Sequence, residues 1–159
     1  MRDSEQPGLS LLSRTLQIWN DHRRGIPQSG EQASVAHCLQ HHKEWWSGWA
    51  TATDTGENSS IAARLLHIHN DAMVRSQLDF GSPREIRVLF DALREKGFTE
   101  FECIHTLALA VSEENAYVQE HGGSFNPERY VKKAERYTHE ALSRPNLRLA
   151  RARISLLSP

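Results

Sequence analysis

The feature that most constrains this chain is a helical repeat of apolar residues, interrupted by residues typical of helix ends. Apolar side chains recur every three or four positions in six successive segments, and this spacing places them on one face of an α-helix. Capping-box patterns begin at Ser82 and Thr99, a further cap lies at Asn126, and Gly81 and Gly122 are typical helix stops. The pattern predicts an all-α fold, a single-domain helical bundle of five to six helices.

The predicted bundle domain covers residues 9–143 of the 159-residue chain. A disordered N-terminus over 1–8 precedes it, and a basic and apolar C-terminal tail over 144–159 follows it. Residues 51–60 are polar and predict the one long loop, whereas the other connections are short and favour antiparallel neighbours. We expect helices over 9–24, 31–49 and 60–80, then three more after the caps at Ser82, Thr99 and Asn126.

Composition and charge argue against several classes of protein, namely nucleic-acid-binding, membrane-bound and secreted proteins. A formal net charge of -1 gives no electrostatic reason to bind nucleic acid or an anionic membrane. No apolar run reaches the length of a membrane span, and the N-terminus lacks the apolar segment of a secretory signal. Cys38 and Cys103 lie far apart in apolar-periodic segments, which indicates buried thiols in a reduced compartment. We therefore expect a cytoplasmic protein.

Motifs for common cofactors and nucleophiles are missing from the sequence. Neither a Walker A loop nor a Gly-x-Gly-x-x-Gly loop occurs, so no nucleotide cofactor is expected. A Gly-x-Ser-x-Gly nucleophile elbow is missing as well. The catalytic residues, and whether the protein is an enzyme, stay open at this point.

Histidine is the unusual component, with nine in the chain. Residues three or four apart share a helix face, which is what metal ligation by a helix requires. Three predicted helices each offer such a pair, and a mixed histidine and carboxylate set suits Fe, Mn or Zn. The pairs are His37 with His41, His67 with Asp71, and Glu102 with His105.

Each of these residues also has a structural interpretation. His42 lies on the apolar stripe of the second predicted helix and can be a hydrogen-bonded core histidine. Glu102 is already explained as part of the Thr99 capping box. His67 and His69 cannot share a helix face, so at most one of them points inward. The sequence alone therefore leaves a metal site and a set of unrelated histidines both open.

Two further features suggest a partner protein. Trp45, Trp46 and Trp49 either fill the core or provide an exposed anchor, since tryptophan is enriched at interface hot spots. The tail carries arginines and no acidic residue, so it is either a basic arm or a segment packed on the bundle. Nucleic acid is an unlikely partner for so weakly charged a domain. The predicted partner-binding residues are Trp45, Trp49, Arg148, Arg151 and Arg153.

Residues 10–137 resemble an uncharacterised family of small bacterial helical proteins, a domain of unknown function. The family pattern has an early tryptophan, a glutamate ten residues before the first histidine of a His-Pro-Glu-Tyr-His segment, and a His-x-x-x-His helix running into Arg-Glu-Gln-Leu. A histidine eight residues before a glutamate and a Gln-Arg-Asn-Gly helix end follow. The matching positions here are Trp19, Glu31, His41, His67, Arg75, Gln77, Leu78, His105, Glu113, Gln119 and Gly122.

Two departures from this pattern bear on chemistry. Asp71 replaces the second histidine of the helical pair and keeps a metal-binding side chain, whereas Trp45 replaces the last histidine of the other segment and does not. The resemblance implies a helical bundle with an inward metal shell but supplies no activity. The implied ligands are Glu31, His41, His67, Asp71, His105 and Glu113.

Two hypotheses about function follow from these observations. The first is a metal-binding bundle, either redox-active with iron or manganese or hydrolytic through a metal-bound water. The second is a non-enzymatic interaction module or accessory subunit that uses the tryptophan cluster and the arginine-rich tail.

Overall fold

The structure is a computed structural model that describes residues 10–47 and 59–144. Those residues contain helices and no strand, which confirms the predicted all-α bundle. None of the described helices combines the length and the apolar character needed to cross a membrane. The helices are α1 (Leu11–Arg23), α2 (Gly30–His41), a 3-10 turn (Lys43–Trp45), α3 (Ser59–Phe80), α4 (Arg84–Glu95), α5 (Glu100–His121) and α6 (Pro127–Ser143).

Side-chain caps fix the starts of α5 and α6 as the sequence predicts. The Thr99 hydroxyl accepts a hydrogen bond from the Glu102 amide at 3.2 Å, and the Glu102 carboxylate accepts one from the Thr99 amide at 2.8 Å. The Asn126 side chain accepts from the Arg129 amide at 2.9 Å, and Pro127 follows as the first helical residue. These bonds satisfy amides that the first turn of a helix leaves unpaired.

The capping box predicted at Ser82 is wrong. Helix α4 begins at Arg84, and its N-cap is Pro83, whose backbone is extended and whose side chain caps nothing. Ser82 therefore lies one residue before the cap position, outside hydrogen-bonding register with the first turn. Its amide instead donates to the Gln77 carbonyl at 3.1 Å and closes the end of α3.

Helix α2 is shorter than predicted, because it ends at His41 instead of continuing to 49. In a continued helix the Leu39 carbonyl would accept from the amide of residue 43. Here that carbonyl accepts from the Trp46 indole at 2.9 Å and from the His42 amide at 3.1 Å. The competing bonds end the helix, and His42 adopts a non-helical backbone.

Two hydrophobic clusters share α3 and together form the core. The larger cluster combines residues of α4, α5 and α6 with Val74 and Leu78 of α3. The smaller one combines α1, α2 and Trp45 with Leu65, Ile68 and Ala72 of α3. Asp71 lies on α3 next to Ala72 of the smaller cluster and shortly before Val74 of the larger one, so the polar group described below sits near the place where the two clusters meet.

A buried carboxylate joins α5 to α6. Glu114 is fully buried and accepts hydrogen bonds from Arg129 Nε at 2.7 Å, Lys133 Nζ at 2.9 Å and the Asn126 amide at 3.0 Å. The hydrogen bonds from Arg129 above all lower the pKa of Glu114 from its ordinary 4.5 to about 2. Glu114 therefore remains ionised and fixes the pairing of the two helices.

Candidate metal centre

Four side chains from three separate segments converge between α3 and its neighbours. His42 directly follows the last residue of α2, His67 and Asp71 lie one turn apart on α3, and His105 lies on α5. One ligand atom from each lies within 4.8 Å of the other three. Asp71 Oδ2 is 2.8 Å from His105 Nδ1, 3.2 Å from His67 Nε2 and 3.8 Å from His42 Nε2.

The polar atoms of this group are buried and without hydrogen bonds. Among the described residues, His42 Nε2, His67 Nε2, His105 Nδ1 and both Asp71 carboxylate oxygens have no hydrogen-bond partner. The distances from Asp71 Oδ2 to the three ring nitrogens are short, but these contacts do not have the alignment of hydrogen bonds. Buried polar atoms are nearly always satisfied, and each exception calls for an explanation. A cation bound between the three nitrogens and Asp71 Oδ2 would satisfy four of these five atoms at once.

The electrostatics of the group fit a cation. Burial raises the pKa of Asp71, but the adjacent imidazoles, His105 foremost, outweigh burial and hold that pKa well below its ordinary value. Asp71 is therefore a buried anionic donor. An ionised carboxylate without exposure to water is unfavourable unless a positive charge accompanies it.

The donor types, and the distances from Asp71 to the three imidazoles, agree with first-row transition metals. Three imidazole nitrogens and one carboxylate oxygen form a mixed set that suits zinc, iron or manganese. A tetrahedral ion with bonds of about 2.0 to 2.1 Å has its ligand atoms about 3.4 Å apart. The three distances from Asp71 to the imidazoles, 2.8 to 3.8 Å, lie on both sides of that value.

A second layer of contacts fixes the His42 ring. Its Nδ1 lies 3.0 Å from a carboxylate oxygen of Glu44. Its ring also stacks on Trp45, with centroids 4.2 Å apart and planes 8° from parallel. His67 meets Trp45 edge-on at 5.5 Å, and His105 meets Phe101 edge-on at the same distance. The imidazoles are therefore held by aromatic neighbours as well as by their own helices.

The structure brings together three of the residues predicted as ligands, His67, Asp71 and His105. It places the other three elsewhere. His41 is exposed, with its ring against Phe101 at a centroid distance of 3.4 Å. Glu31 is exposed in the first turn of α2. Glu113 accepts a hydrogen bond from the Tyr137 hydroxyl at 2.8 Å and pairs with Arg136 of α6.

His42 is the ligand candidate that sequence reasoning interpreted as a core histidine. It is buried as that interpretation requires, but its Nε2 faces Asp71. His37 and His41 share a face of α2 as predicted, with ring centroids 5.0 Å apart, but neither belongs to the group around Asp71. Trp45, three residues after His42, was the signal in the sequence for a site at His42. An aromatic ring beside a buried histidine can hold the orientation of that histidine.

The predicted partner-binding residues fall into two groups. Trp45 is 5% exposed and packs in the smaller core cluster, so it offers no surface to a partner in the described structure. Trp46 also packs against that cluster and donates its indole N–H to Leu39. Trp49 and the tail residues Arg148, Arg151 and Arg153 lie outside the described residues, as does the predicted disordered N-terminus.

No protein-family model, no curated protein and no solved structure matches this chain. The resemblance to a bacterial domain of unknown function therefore stays a prediction.

Proposed function

We propose that this chain is a metal-binding helical protein in which His42, His67, Asp71 and His105 hold one divalent transition-metal ion. The observation that carries the proposal is the convergence of buried nitrogen and oxygen atoms that lack hydrogen-bond partners among the described residues. A bound ion would connect the end of α2 to α3 and α5, and thereby join the two halves of the core.

Zinc, iron and manganese are the ions that this donor set favours. Iron or manganese would give the protein redox chemistry, and zinc would either polarise a bound water or cross-link the fold. We also propose a cytoplasmic location, where Cys38 and Cys103, both buried and free, stay reduced. Kinship with the resembled bacterial family is part of the same proposal, since His67 and His105 match its pattern and Asp71 stands at the position of its second helical histidine.

Elemental analysis of protein purified without a polyhistidine tag tests the proposal. We expect close to one equivalent of zinc, iron or manganese in the wild type and a large loss in a His67→Ala, His105→Ala double variant. His139→Ala is the matched control, because His139 is exposed on α6 and does not belong to the group. Wild-type protein that neither contains nor takes up metal would contradict the proposal.

The same measurement on two single variants tests which of two adjacent histidines binds the metal. His42→Ala removes a proposed ligand, whereas His41→Ala removes the neighbour that the family pattern implies. We expect metal loss in His42→Ala and retention in His41→Ala, because only His42 faces Asp71. The opposite result would return the ligand set to the one implied by the resemblance.

A further inference from the structure

We infer that Glu44 is a positioning residue of the metal centre, an outer carboxylate that holds His42 in the orientation and tautomer needed to bind the ion. The inference rests on the proposed function. The hydrogen bond on which it depends joins Glu44 to His42, and neither residue was among the ligands predicted from the sequence.

The hydrogen bond from His42 to Glu44 determines which ring nitrogen faces the ion. A carboxylate accepts hydrogen bonds, so at 3.0 Å the ring Nδ1 must donate its proton to Glu44 Oε1. In a neutral imidazole the other nitrogen then carries the lone pair. That nitrogen, Nε2, is the atom that faces Asp71.

The local backbone explains how two residues so close in sequence meet. In an α-helix, residues two apart point to different sides and cannot form such a pair. Because α2 ends at His41 and a 3-10 turn covers Lys43–Trp45, Glu44 folds back to the His42 ring. The same turn places the Trp45 ring flat on the His42 ring.

Exposure distinguishes the role of Glu44 from that of a core residue. The His42 side chain is 4% exposed, whereas the Glu44 side chain is 54% exposed. Loss of the Glu44 carboxylate therefore removes no core packing and leaves no buried charge. Its contribution should appear when His42 binds metal, since outer carboxylates orient the ring and strengthen it as a donor.

Zinc affinity, measured by competition with a chromophoric chelator, tests the inference on full-length protein. Loss of an outer partner of a metal-binding histidine typically weakens affinity by about 10- to 100-fold, and we expect that loss for Glu44→Ala. Glu44→Gln should bind with intermediate affinity, because its amide oxygen accepts the same hydrogen bond without the charge. Glu95→Ala, a change at an exposed glutamate of α4, should bind zinc like the wild type.

Thermal unfolding of the metal-free proteins separates positioning from folding. We expect metal-free Glu44→Ala to unfold at most about 2 to 4 °C below the wild type, which is the effect of one lost hydrogen bond. Zinc affinity equal to that of the wild type, or a lowered unfolding temperature that accounts for the lost affinity, would overturn the role of Glu44. Wild-type protein that binds no zinc would instead overturn the proposed function itself, so the two failures are distinguishable.

Discussion

Loading the protein with one zinc ion should raise its resistance to unfolding. His42, His67, Asp71 and His105 come from three segments, and these segments separate in the unfolded chain. A ligand that binds only the folded state stabilises it in proportion to the logarithm of its concentration over the dissociation constant. At free zinc 100-fold above that constant, the free energy of unfolding rises by about 2.7 kcal/mol.

This free energy corresponds to a readily measured change in temperature. For a chain of 150 to 250 residues, 1 kcal/mol shifts the midpoint of unfolding by about 2 to 4 °C. We therefore expect an increase of about 5 to 11 °C on zinc loading at that excess. Tryptophan fluorescence is the appropriate probe, because Trp19, Trp45 and Trp46 all lie in or against the smaller core cluster, beside the site.

Asp71→Asn is the matched variant for this measurement. Asparagine keeps the shape of the side chain and removes the negative charge that faces the imidazoles. We expect Asp71→Asn to lose most of the zinc-induced shift, whatever its metal-free stability. A shift of equal size in the wild type and in Asp71→Asn, or no shift in either protein, would refute the reasoning.

Three further predictions follow from contacts of the fold and the site. Glu114→Gln should lower the free energy of unfolding by about 1 to 3 kcal/mol in urea at pH 7, because Arg129 then loses its charged partner. Since the folded pKa of Glu114 is depressed to about 2, its contribution is present above pH 4.5 and lost as pH falls towards 2. Urea titrations of metal-free wild type should therefore show a larger loss of stability in acid than those of Glu114→Gln, and parallel curves would contradict this. Thr99→Ala should cost about 1 kcal/mol by removing the α5 cap, and an unchanged urea midpoint would count against that bond. Paramagnetic Co²⁺ should quench tryptophan emission in the wild type and not in His42→Ala, because Trp45 stacks on the His42 ring at 4.2 Å.

Local signals in the sequence were sufficient for much of the fold. The Thr99 capping box and the Asn126 cap involve residues close in sequence, so their chemistry could be predicted directly. The Ser82 box failed because Pro83 occupies the N-cap position, which shifts the start of α4 by one residue. Helix existence was thus easier to predict than the residue at which a helix begins.

The candidate site was predictable where it depends on a single helix. His67 and Asp71 lie one turn apart on α3, so their shared face follows from periodicity alone. His105 lies on α5 at the position that the family pattern indicates, and it does face Asp71. For Glu31 the resemblance gave a position in the chain but no information about its surroundings.

The missing part of the site depends on a competition between hydrogen bonds. The end of α2 at His41 rests on the Trp46 indole bonding to the Leu39 carbonyl, an interaction worth about 1 kcal/mol. Periodicity cannot show which of two comparable bonds prevails. Because the helix ends there, the His42 ring faces Asp71 and Glu44 comes into contact with it.

X-ray absorption spectroscopy of protein loaded with one equivalent of zinc tests the central claim most directly. The scattering pattern of imidazole rings reveals how many histidines bind the metal. We predict three imidazoles and a carboxylate oxygen at about 2.0 to 2.1 Å in the wild type and in His41→Ala, and no shell with three imidazoles in His42→Ala. A shell of oxygens with one imidazole or none, or a spectrum that His42→Ala leaves unaltered, would contradict the assignment of His42, His67, Asp71 and His105 as the ligands.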